Sequence, residues 1–82
     1  MDFSSVWALV VENAGKPFYT VTGLPFTYKV RGEAVYTSRT SYRLTRRDFE
    51  SAFQQMPVSG PGQLNASVHG PSYVFAILSA LT

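Results

Sequence analysis

The 82-residue chain contains no cysteine. That excludes disulfides and thiolate zinc sites, and it is compatible with a reducing compartment. Histidine is limited to His69, which excludes a histidine cluster as a metal site. Acids are few as well: Asp2, Glu12, Glu33, Asp48 and Glu50 are scattered. Asp48 and Glu50 stand two apart on an expected helix, on differing faces, which is not the geometry of an acid/base pair. His69 with Ser67 or Ser72 has the letters of a catalytic triad, without a nucleophile elbow or an orienting carboxylate. No phosphate-binding loop or dinucleotide fingerprint is present, and Gly60-Pro61-Gly62 reads as a turn. An enzyme is therefore not expected, nor is a metal or cofactor.

Long apolar runs are missing too. The longest, residues 73–81, is too short to span a bilayer, so no membrane association is expected. The first residues carry Asp2 where a secretion signal would place basic residues, so a cytoplasmic location is expected. On the same ground, the glycosylation-like Asn65-Ala66-Ser67 is read as chance.

What the chain does have is hydrophobic residues, 45% of the total, with six Phe, five Tyr and one Trp. At this length one small domain spanning residues 1–82 must be held by aromatic and aliphatic packing alone. Its net charge of +2 is unevenly distributed. Residues 1–15 carry −2. Residues 16–47 hold all seven basic residues against Glu33, a local +6. From Ser51 onward no Lys, Arg, Asp or Glu appears. The middle is thus the expected positive surface, and the last third is expected to be buried or part of an interface.

Phe3, Val6, Trp7, Val10, Val11 and Ala14 recur with helical spacing, with Asp2 or Ser4 as cap and Gly15 then Pro17 as the stop. Residues 18–22 (FYTVT) read as a strand, and Gly23-Leu24-Pro25 as a turn. Residues 26–30 alternate, putting Phe26, Tyr28 and Val30 on one face and Thr27 and Lys29 on the other. Arg31-Gly32 is the expected hairpin loop, and residues 33–39, or 33–42 if it continues to Tyr42, the return strand. A two-residue loop sets Tyr28 against Val35 and a three-residue loop sets it against Tyr36, a choice that exchanges the faces.

Leu44-Thr45-Arg46-Arg47-Asp48-Phe49 has the signature of a helix start. Thr45 is the N-cap, Asp48 answers it in the manner of a capping box, and Leu44 and Phe49 form a hydrophobic staple. The helix carries Phe49, Ala52, Phe53 and Met56 on one side and stops at Pro57. Residues 57–71 are rich in Gly, Pro and Ser, with Leu64 and Val68 as anchors and a short helical turn expected between them. Gly70-Pro71-Ser72 then opens a last helix that is apolar nearly all round. The expected fold class is α+β: an N-terminal helix, a three-stranded antiparallel sheet containing a β-hairpin, then two helices joined by a Gly/Pro-rich loop.

Two surfaces are candidates for function. The basic stretch sets Lys29, Arg31, Arg39, Tyr42, Arg43, Arg46 and Arg47 on or beside the hairpin, interleaved with Thr and Ser. Arg46 and Arg47 fall in a first helical turn, where the dipole disfavours cations by a few tenths of a kcal/mol each. Bound phosphate would offset that, and DNA or RNA is the expected partner. The alternative is a protein-interaction or oligomerisation domain, such as a homodimer. Tyr73, Phe75, Ile77 and Leu81 of the last helix would then form its contact.

Overall fold

The computed structural model describes residues 1–64 and 68–82. The Asn65-Ala66-Ser67 sequence and the helical turn expected between Leu64 and Val68 lie outside the described residues. Helix α1 (Phe3–Glu12) is followed by strands β1 (Phe18–Tyr19), β2 (Pro25–Phe26), β3 (Tyr28–Arg31), β4 (Ala34–Thr37) and β5 (Leu44–Thr45). Helix α2 (Arg46–Gln55), a 3-10 turn (Pro61–Gln63) and helix α3 (Pro71–Leu81) complete an α+β architecture.

Asp2 caps α1, its carboxylate accepting from the Ser5 N–H at 2.8 Å. That contact lowers the Asp2 pKa below the usual aspartate value. Val6, Trp7 and Val10 are buried, whereas Val11 is exposed on the helix and Ala14 lies exposed beyond its end at Glu12. The chain then turns through Gly15, whose φ of 89° a side chain would resist.

The antiparallel ladders form two sheets. β1 pairs with β2 alone, and the three-stranded sheet runs β3-β4-β5. Its third strand is therefore Leu44–Thr45, the two residues that also lead into α2, and not residues 18–22. The hairpin loop is Gly32-Glu33, since Arg31 pairs with Ala34 and Tyr28 with Thr37. Neither expected register holds. Gly32 takes the first loop position with φ of 58°, where a two-residue hairpin turn calls for glycine, and this draws Arg31 into the strand. The pairing lies two residues from the Tyr28–Val35 alternative, so it keeps that alternative's faces.

The inner face of this sheet carries Tyr28, Val35 and Leu44, all essentially inaccessible to solvent, and α1 and α3 help cover them. Tyr28 donates a 2.6 Å hydrogen bond to the Val10 carbonyl oxygen, tying β3 to α1. Burial pushes the Tyr28 phenol up to about 12. Trp7 meets Phe49 edge-on at 5.7 Å between centroids, and Phe3 meets Phe53 at 5.9 Å, locking α1 to α2. Each such aromatic pair contributes about 0.5–1.5 kcal/mol beyond its buried area.

α2 begins as its sequence signature requires. Thr45 Oγ1 accepts from the Asp48 N–H at 3.2 Å, and Asp48 Oδ2 accepts from the Thr45 N–H at 2.9 Å. Leu44 and Phe49 are both fully buried. Asp48 does more than cap, because its Oδ1 accepts from the backbone N–H of His69 at 3.3 Å. This contact returns the chain to α2 just before α3 begins. Leu64 and Val68 are buried anchors of the intervening segment.

α3 packs against α1, α2, β1 and the 3-10 turn. Val74, Ile77 and Leu78 have no accessible surface. Ile77, expected at an interface between chains, is thereby placed in the chain's own core. Tyr73, Phe75 and Leu81 are half-buried against the same core, and Tyr73 meets Phe26 edge-on at 5.1 Å. The absence of charge after Ser51 thus has an internal explanation: α3 has packing partners on several sides. No helix among the described residues is long and apolar enough to cross a membrane.

Candidate nucleic-acid interface

Side chains alternate along a strand, so the residues facing away from the core form a second row. On β3 that row is Lys29 and Arg31, both exposed, and on β4 it includes Tyr36, which is 36% exposed. The ladder sets Lys29 directly opposite Tyr36. At the end of the hairpin away from the loop, Ser38 donates its N–H to the Thr27 carbonyl, and Thr27 donates its N–H to Ser38 Oγ. Thr27 and Ser38, both exposed, extend the row in polar form.

Two adjoining depressions mark this face. One, of about 340 Å³, is lined by Thr27, Tyr28, Lys29, Tyr36, Thr37 and Ser38. The other, of about 280 Å³, is lined by Lys29, Arg31 and Tyr36. Lys29 and Tyr36 border both. Neither depression is lined by a carboxylate, and Lys29 and Arg31 have no acidic partner within ion-pair distance among the described residues.

The other basic residues divide into occupied and free. Arg46 is occupied. Its Nη1 lies 3.5 Å from Glu33 Oε2, and its guanidinium sits 5.6 Å from the Phe3 ring centroid and 5.8 Å from that of Trp7. The Arg46 N–H also donates to the Glu33 carbonyl oxygen at 2.8 Å. A phosphate is therefore not needed to account for a cation at the start of α2. Arg39 is partly occupied, since its Nε donates to the Pro25 carbonyl oxygen at 2.7 Å, linking β2 to the turn after β4. Arg43 and Arg47 are exposed and form no ion pair among the described residues.

Arg43 stands just before β5, whose ladder with β4 pairs Val35 with Leu44 and Ala34 with Thr45. It is exposed and lines a third depression, of about 550 Å³, with Tyr42, Thr45, His69 and Gly70, which shares no lining residue with the other two. The His69 imidazole is largely exposed there, its Nδ1 3.6 Å from Asp48 Oδ1.

Of the residues expected to contact nucleic acid, Lys29, Arg31, Tyr42 and Arg43 line depressions at this face or its edge. Arg47 projects from the first turn of α2, and Arg39 and Arg46 are held in internal contacts. Tyr36 was not among the expected contacts. Only the register puts it outside beside Lys29, and the sequence left two registers open. Other exposed apolar residues, Tyr19, Val21 and Leu24, lie at the β1–β2 hairpin. No protein-family model, curated protein or solved structure matches this chain.

Proposed function

We propose that the chain is a small, non-enzymatic domain that binds nucleic acid through the outer face of its β3-β4-β5 sheet. The observation that carries this reading is the pairing of Lys29 with Tyr36, with Arg31 beside them, around two depressions lined by no carboxylate. Helices cover the inner face, and the cations of the outer one are free to meet an anion. Lys29, Arg31 and Arg43 supply charge for phosphates, while Thr27 and Ser38 supply short polar contacts at the rim. Arg47 adds a further cation, and Arg46 and Arg39 support the scaffold.

Binding of this kind weakens with salt, because each phosphate neutralised releases counterions, with a slope of about 0.7 to 0.9 per contact on logarithmic axes. The test is titration of labelled oligonucleotides, single-stranded and duplex, across a salt series. The native chain is expected to bind at low salt with a measurable slope. Replacing Lys29, Arg31 and Arg43 together by Ala should flatten the slope without changing the circular-dichroism spectrum. Absence of binding to both kinds of probe at low salt refutes the reading.

A further inference from the structure

We infer that the preferred ligand of this face is single-stranded, with Tyr36 as the residue on which an unpaired base stacks. The inference rests on the nucleic-acid reading above and goes beyond it by naming the strand state. Lys29 and Tyr36 are shared by two depressions, and so form the divide between them. Each depression, at about 340 and 280 Å³, is on the scale of a small planar group rather than a double helix. The face is short, four residues along β3 and four along β4.

Chemistry points the same way. A duplex exposes phosphates and base edges but hides base faces within its stack, so an aromatic ring centred among cations gains little from it. An extended single strand offers faces and phosphates alternately. That alternation matches a tyrosine with Lys29 opposite it and Arg31 lining the same depression. Grooves that bind single strands without sequence preference combine these two elements, cationic tracking of the backbone and aromatic stacking of bases. Charge complementarity makes nucleic acid the occupant, and the ring makes it single-stranded.

The experiment compares oligothymidylate with a mixed-sequence duplex carrying the same number of phosphates, using native protein, Tyr36→Ala, Tyr36→Phe and Tyr36→Trp. Native protein should bind the single strand more tightly. Tyr36→Ala should lose roughly 5- to 150-fold in single-strand affinity, the range of one base–aromatic stack, while duplex affinity changes little. Tyr36→Phe should retain both affinities. In Tyr36→Trp, the new indole fluorescence should be quenched by the single strand and not by the duplex, which gives a readout independent of whether the alanine variant folds. Equal affinity for both probes, or Tyr36→Trp emission indifferent to the single strand, overturns the inference while leaving nucleic-acid binding intact. Failure of both probes to bind native protein overturns the underlying reading instead.

Discussion

The guanidinium carbon of Arg46 stands 5.8 Å from the centroid of the Trp7 ring, joining the first residue of α2 to the middle of α1. Two rings and one carboxylate hold this cation at the positive end of a helix dipole. The several partners together offset the few tenths of a kcal/mol that the position costs. Arg46→Ala should therefore destabilise the fold by about 1 kcal/mol, the scale of a cation–π contact plus lost stem packing. It should also shift the Trp7 emission. Arg47→Ala, one residue on and exposed, should stay within about 0.5 kcal/mol of native. Urea denaturation followed by fluorescence checks both.

Asp48 is 4% exposed and serves three donors: the Thr45 N–H, the Thr45 hydroxyl and the His69 N–H. Removing its acceptors leaves partly buried donors unpaired, at about 1 kcal/mol or more. Asp48→Ala should lower the melting temperature more than Thr45→Ala, which loses chiefly the cap, worth about 1 kcal/mol. Equal losses would mean that the His69 contact contributes nothing.

Gly70 begins α3 with φ of 54°, and a Cβ built there would lie 2.6 Å from Leu44 Cδ2 and 3.2 Å from the Tyr42 ring. Leu44 is fully buried and has little freedom to yield. Gly70→Ala should destabilise by more than about 1 kcal/mol, since both conformation and space oppose it. Gly62→Ala, where a Cβ would meet nothing within 4 Å, should be neutral to within about 0.5 kcal/mol. Chemical denaturation of the two variants tests the contrast.

The Tyr28 phenol is raised from 10.0 to about 12. As pH rises, the unfolded chain releases this proton first. The contribution to stability is thus complete below about pH 10 and is lost as pH climbs from about 10 to about 12. Tyr28→Phe should remove that component from the stability–pH profile. At neutral pH the same change should cost about 1 kcal/mol through loss of the bond to the Val10 carbonyl. Subtracting the two profiles isolates Tyr28 from the other groups that titrate in alkali.

The helices were the most legible part of the fold, because their signals are local. Thr45 and Asp48 spell a cap within four residues, and Phe49, Ala52 and Phe53 repeat at helical spacing. The sheet was less so. Leu44-Thr45 is a strand only because β4 lies beside it, and of residues 18–22 only Phe18-Tyr19 forms a strand, paired with Pro25–Phe26 outside the larger sheet. No neighbour in sequence announces either fact. The site divides along the same line. Lys29 and Arg31 could be read from charge and alternation, but Tyr36 needed the register. Arg46 needed the three-dimensional position of Phe3, Trp7 and Glu33, residues far from it along the chain.

The two oxygens of Asp48 belong to events of different range. One closes the first turn of α2 three residues away, and the other receives the N–H of a residue 21 positions later. Opening of that helix start and release of the segment leading into α3 are consequently coupled, since a carboxylate that swings out for one abandons the other. In amide hydrogen exchange the Thr45 and His69 protons should accordingly share one opening free energy. The short helical signal in the sequence thus also acts as a clasp on the Gly- and Pro-rich segment that follows it.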